Sequence, residues 1–246
     1  LYTPPAPGET IPYHSTLSWL GTDLDGTVDG YRYAIDPPLF GEPYWFGTSA
    51  TSQLFFFRAT TLQTPVPASG PVMFADPHTF VIEAIDNDGL QSLPVSRTFV
   101  TFTIAPEVRI VSPTPSAVGP VPVATEVTIE WQGTDDDGQF IQGPVNYRYA
   151  LFVGDALIDA AWADPAAFRD QYAPNFDGWQ TASRDSAFLH LQNLVPSRRI
   201  LLCVVGFDEA GAYSARFSRG GNMIQFIAGV TPTLRRSWGA LKAGYR

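Results

Sequence analysis

Aspartate recurs in this chain in a nearly fixed phrase, "WLGTDLDG" at Trp19–Gly26 and "WQGTDDDG" at Trp131–Gly138. A second acidic phrase follows each copy: "AIDNDGLQS" (Ala84–Ser92) after the first and "GFDEAGAYS" (Gly206–Ser214) after the second. Carboxylates spaced this closely can do three kinds of chemistry. They can ligate a hard cation such as Ca²⁺, which takes roughly six to eight oxygens. They can work as an acid–base pair. They can also build a tight corner, because aspartate hydrogen-bonds the backbone two residues on and tolerates left-handed conformations beside glycine. The spacing is not that of an EF-hand, since Gly26 follows the second acid at once and no glutamate closes the loop. Other catalytic signatures are absent. There is no G-x-S-x-G elbow and no phosphate-binding loop, and His14, His78 and His190 have no partner at metal-ligand spacing. A catalytic role is not expected.

The elements that must position these acids are duplicated with them. "YRYAID" (Tyr31–Asp36) returns as "YRYALF" (Tyr147–Phe152), and Trp45, Ser49 and Ser52 return in order as Trp179, Ser183 and Ser186. The chain has 246 residues, room for two domains that each bury a core. Its 22 prolines and 21 glycines favour short strands joined by turns. "STLSWLG" and "EVTIEWQG" alternate apolar and polar residues as half-buried strands do. In "YRYAI", Tyr31, Tyr33 and Ile35 share one face and Arg32 and Ala34 the other. "FVIEAI" and "LLCVVGF" supply central strands, while "RTFVTFTI" and "NMIQFIAG" close each unit.

The pattern "LSW…DGTVDGYRYAI…TFVIEAIDNDGLQS" resembles a fibronectin type III or related immunoglobulin-like domain. Trp19 and Trp131 match the core tryptophan of that family; Phe80 stands where the family usually has tyrosine, and Leu202 departs further. The Asp-rich corners resemble those of tandem repeats in bacterial secreted and surface proteins. The resemblance implies an all-β chain of two tandem fibronectin-III/Ig-like antiparallel β-sandwiches. One repeat covers 1–105 and the next 106–229, and 230–246 forms a basic tail. In such a sandwich two loops at one end bring Asp23 and Asp25 toward Asp86 and Asp88, and Asp135 and Asp137 toward Asp208 and Glu209. Turn building, calcium binding and paired catalysis all remain open for these eight acids, and calcium is the one cofactor they point to.

The copies differ in instructive places. Repeat 2 carries an insertion around 154–178, where Asp164–Pro165 reads as a helix cap followed by a first turn in "AAFRDQYA". This short helical insertion is too rich in aromatic residues to stand free. It is expected to cover the outer face of "LLCVVGF", which is apolar on both sides and makes Cys203, the single cysteine, a core residue. "EVRIVSP" is a clear first strand for repeat 2, whereas the proline-rich "LYTPPAPGE" that opens repeat 1 is poor strand material.

Past the last strand, "TPTLRRSW" falls where "APEVRIVSP" enters the second repeat, so Leu234, Arg235, Arg236, Trp238 and Lys242 mark a candidate donor strand. The net charge of −9 excludes the basic footprint that nucleic-acid binding needs. No apolar run is long enough to span a membrane. No signal peptide and no initiator methionine are present, which reads as a processed or excised segment. Two functions follow as expectations. One is an extracellular or cell-surface structural or adhesive protein whose partners are copies of itself or neighbouring domains, assembled head to tail into a filament by strand donation. The other is a binding or spacer module of a larger secreted enzyme, contacting polysaccharide.

Overall fold

In a computed structural model, residues 6–63, 66, 67 and 69–229 are described; the candidate donor residues Leu234, Arg235, Arg236, Trp238 and Lys242 lie outside them. The chain divides into two compact units. Unit 1 comprises Leu1–Pro106 together with Asp135–Gly143 and Phe207–Ala215; unit 2 comprises Glu107–Thr134, Pro144–Gly206 and Arg216–Arg246. The boundary at 105/106 therefore marks where the strand pattern restarts, but compactness does not follow it. The two loops carrying Asp135, Asp137, Asp208 and Glu209 belong to unit 1.

Unit 1 holds strands β1 (Thr10–Pro12), β2 (His14–Ser18), β3 (Val28–Ile35), β4 (Phe46–Thr48), β5 (Ser52–Phe56), β6 (Met73–Asp86) and β7 (Val95–Ile104). They form a five-stranded sheet in the order β1-β7-β6-β3-β4 and a two-stranded sheet β2-β5. The alternating apolar positions of each strand face inward. Trp19 packs against Phe80 with ring centroids 5.8 Å apart, and Tyr31, Tyr33 and Phe55 surround it. Its indole N–H donates to the carbonyl of Ala50 at 2.8 Å, so the ring is buried without leaving its polar atom unpaired.

Unit 2 repeats the plan with β8 (Glu107–Ser112), β9 (Val121–Val123), β10 (Val127–Thr134), β11 (Asn146–Val153), β12 (Gln180–Ser183), β13 (Phe188–Leu191), β14 (Arg199–Phe207) and β15 (Met223–Ala228). The sheets run β12-β11-β14-β15-β9 and β13-β10-β8. Each unit is thus an antiparallel sandwich, with one short parallel strand added beside its last strand: β1 on β7 and β9 on β15. The difference lies in the smaller sheet. β10 is paired on both edges, by β13 and by β8, and Ile110 of β8 lies opposite Trp131 in the core. β2 is paired by β5 alone among the described residues, and it ends at Ser18 while β10 runs on through Trp131 to Thr134.

The insertion folds as α1 (Asp155–Ala163) and α2 (Pro165–Asp170). The expected cap is present, with Asp164 accepting from the Ala167 N–H at 3.0 Å. The first helix is an addition to what the sequence suggests. Its entry residue Gly154 has φ +105° and offers no capping side chain. Its ends are held from elsewhere: Arg199 bridges Asp155 and Asp159, and Arg219 donates to the Trp162 and Ala163 carbonyls. Phe152, Phe168, Tyr172, Phe176 and Trp179 pack together, and Leu201, Cys203 and Val205 on the outer face of β14 are fully buried. Burial pushes the Cys203 thiol up, so it is inert packing.

Because β8 contributes the fully buried Ile110 to the unit 2 core, Ile110→Ala should cost about 2–5 kcal/mol in chemical denaturation. Val111→Ala, on the opposite face of the same strand, should cost less than about 1 kcal/mol.

Candidate functional site

A tyrosine at the start of the long β3 and β11 strands fixes the chain just before each aspartate corner. The Tyr31 hydroxyl accepts from the Gly21 N–H at 2.9 Å, and the Tyr147 hydroxyl accepts from Gly133 in the same way. The corners then diverge.

In repeat 1 the corner is open to solvent. Asp86 Oδ1 accepts from the N–H groups of Asp88 and Leu90 at 2.9 and 2.8 Å, closing the turn after β6. Asp23 Oδ1 lies 3.5 Å from the Asp25 N–H. Asn87 Oδ1 accepts from Thr27 N–H at 2.8 Å and ties the two loops together. That approach requires Gly26, since a Cβ there would overlap the Asn87 amide and lie 2.6 Å from Asp23 Oδ2. A shallow cleft of about 180 Å³ sits beside this corner, lined by Thr22, Asp23, Asp86 and Gln91 among others. Asp25 and Asp88 are exposed.

In repeat 2 Asp135 and Asp208 are buried within unit 1, and Asp137 and Glu209 are half-buried. Asp208 is 3% exposed; its Oδ1 accepts from the Ala212 N–H at 2.7 Å, the same turn that Asp86 makes, and its Oδ2 from the Thr103 hydroxyl at 2.9 Å. Asp137 Oδ2 accepts from the Ile104 N–H at 2.9 Å, and its Oδ1 lies 3.4 Å from the Thr103 hydroxyl. Glu209, in the place of Asn87, accepts from the Tyr13 hydroxyl at 2.9 Å and from the Phe140 N–H at 3.3 Å. Asp135 is 3% exposed, and neither of its carboxylate oxygens has a hydrogen-bond partner. Gly138 makes this loop possible, because a Cβ would collide with the Ile141 carbonyl.

Burial sets the electrostatics. Desolvation first, then the charge of Asp208 and the nearby Asp137 carboxyl, push the Asp135 carboxyl up to about 8. Desolvation pushes Asp208 up to about 7, against the hydrogen bonds from Thr103 and Ala212 that favour its charged form. Desolvation also raises the Tyr13 hydroxyl, with Glu209 adding to it.

The loops thus bring the acids of each repeat to one end, as the sandwich implies. Among the described residues, however, no three acidic, histidine or cysteine side chains are gathered so as to hold a metal ion. Most of the oxygens are instead turned to backbone N–H groups. His190 projects outward from β13 toward Thr128 and Glu126. His78 is buried, its Nδ1 2.6 Å from Asp36 Oδ2 and its Nε2 donating to the Arg58 carbonyl at 2.7 Å. Sequence patterns point to none of Tyr13, Thr103 or His78. Each sits in an ordinary strand alternation and is given its role by a partner far away in the chain.

Since Asp86 holds two backbone N–H groups, Asp86→Ala should lower stability by about 1–3 kcal/mol. Asp88→Ala, whose side chain is exposed, should change it by less than about 0.5 kcal/mol, both read from thermal or denaturant unfolding.

No protein-family model and no curated protein sequence matches the chain. Solved structures similar to it are fibronectin type III modules. The fibronectin(III)-like modules of Clostridium thermocellum CbhA match at 10% identity and TM-score 0.33, covering 91% of this chain and 90% of theirs. The two-domain fibronectin type III segment of chicken tenascin matches at 15% identity and TM-score 0.28, covering 89% and 94%. The FN1–FN3 domains of chicken CNTN1 match at 14% identity and TM-score 0.27, covering 90% of this chain and 62% of that one. The strand order of both units is that of an all-β sandwich fold.

Proposed function

We propose that the chain is a non-catalytic structural module of an extracellular or cell-surface assembly. Its unit 1 accepts a β-strand along the free edge of β2, and copies thereby join head to tail into a filament. The observation that carries this reading is the unequal pairing of the two smaller sheets. In unit 2 the strand that follows β7 after only Ala105–Pro106 becomes the outer partner of β10. In unit 1, β2 has no such partner among the described residues. The described chain upstream of β1 does not supply one, because Gly8 and Glu9 hydrogen-bond along β7 to Thr98 and Val100.

Segment 230–246 follows β15 as β8 follows β7, and it is the natural donor by position. It also carries Arg235, Arg236, Lys242 and Arg246 in a chain of net charge −9, so opposite charges would steer donor to acceptor. A contact of this kind is heterologous and does not close on itself, which makes a fibre its product. The insertion bears on the polysaccharide alternative. Phe168, Phe176 and Trp179 are buried in packing, so they form no exposed aromatic platform for sugar rings.

The test compares the intact chain with one ending at Gly229, by light scattering and negative-stain microscopy. Fibres from the intact chain and folded monomers from the shortened one are expected. If both remain monomeric, or both assemble, strand donation by 230–246 is wrong.

A further inference from the structure

The acids of repeat 2 have a use beyond turn building. We propose that Asp135, Asp137 and Asp208 form a proton-operated latch. One proton shared among the three carboxyl groups keeps segments 135–143 and 207–215 fastened to the end of β7, and its loss unfastens them.

The geometry carries this in three steps. First, Asp137 and Asp208 converge on one donor: the Thr103 hydroxyl lies 3.4 Å from Asp137 Oδ1 and 2.9 Å from Asp208 Oδ2, and it has a single proton to give. Second, Asp135 is 3% exposed with no donor at either oxygen. An ionised carboxylate in that position is removed from water with nothing in exchange, whereas a protonated one donates its own O–H to a neighbouring carboxylate. Third, the groups facing it are acidic or neutral. Asp137 comes from its own loop and Asp208 from the loop after β14. Tyr13 comes from the junction of β1 and β2, its hydroxyl bonded to Glu209, and Thr103 from β7.

The sign of the pH dependence follows. Burial and like charge raise the folded-state values of Asp135 and Asp208 to about 8 and about 7, from 3.8 for an ordinary aspartate. The folded form therefore binds more protons than the unlatched one at neutral pH. Stability from the latch is fully present below the ordinary carboxylate range and is lost as pH rises through 7 and 8. The two acids interact, so the titration belongs to the cluster as a whole. For one proton released, the latched-to-open ratio falls at most about tenfold per pH unit.

The latch is fastened to β7 through the Ile104 N–H, bonded to Asp137, and the Thr103 hydroxyl, bonded to Asp208. The Ala212 N–H bonded to Asp208 holds the turn of 207–215 itself, so the Ile104 and Ala212 amides report on the latch. Hydrogen exchange of these two amides, corrected for intrinsic rates, should accelerate between pH 6 and 9 in the intact chain. Asp135→Asn keeps the shape but cannot ionise. It should show a flatter profile and at least wild-type protection at pH 9. Identical pH profiles for wild type and Asp135→Asn would overturn the proposal. So would protection restored at pH 9 by millimolar calcium chloride and removed by EDTA, since a cation would then be the partner. If the variant does not fold, the wild-type Asp135 side-chain carboxyl is titrated directly by NMR. A midpoint well above the ordinary carboxylate range is expected, and an ordinary one overturns the latch.

Discussion

A polar group taken out of water needs a partner, and the two repeats meet that requirement unequally. Each sandwich buries a tryptophan between its sheets, which forces strand edges, loop carbonyls and acidic side chains into the same dry region. Unit 1 meets the need at Trp19 with the Ala50 carbonyl. Unit 2 encloses Trp131 by adding β8 beside β10 and leaves its indole N–H buried without a hydrogen-bond partner. The strand that completes one smaller sheet is thus a length of chain that has just left the preceding repeat.

The duplicated acids show how one sequence phrase acquires two physical roles. Asp86 and Asp208 make the same turn, each accepting from the N–H four residues on. Around Asp86 the loop is solvated, and the carboxylate is stabilised by water and by backbone N–H groups. Around Asp208 the dielectric is low and Asp135 and Asp137 lie nearby, so the corner becomes a cluster of like charges whose ionisation works against its own burial. Aspartate was already the right residue for the turn. Enclosure by Tyr13 and Thr103, neither of them acidic, is what converts turn chemistry into acid–base chemistry.

This is also where the sequence stops being informative. Strand alternation, the repeated tryptophan–aspartate phrase and the Asp164–Pro165 cap all act over a few residues. Each was therefore legible, down to the Ala167 N–H that Asp164 receives. The covered outer face of β14 was legible too, because a strand apolar on both sides admits few other fates. Helix α1 was not, since the groups that hold its ends, Arg199 and Arg219, come from a strand and a loop far along the chain. The compact grouping of Asp135–Gly143 and Phe207–Ala215 with unit 1 was hidden for the same reason. Local spacing cannot encode which distant segment will close over a loop.

The edge of β2 that no described residue fills and the acid cluster share a logic that bears on the proposed assembly. An unpaired strand edge is a hazard unless it is blunted or filled, because it templates pairing with whatever extended chain it meets. Restricting the occupant requires recognition beyond the backbone ladder, and charge provides it over distances at which hydrogen bonds do not act. In a chain of net charge −9, segment 230–246 carries four basic residues and no acid, so that asymmetry is built into its covalent order. A cluster whose protonation changes near neutral pH would alter both the local stiffness and the charge of the same unit. In the proposed assembly the edge would select the strand that binds, and the acids would set how firmly unit 1 is held when it does.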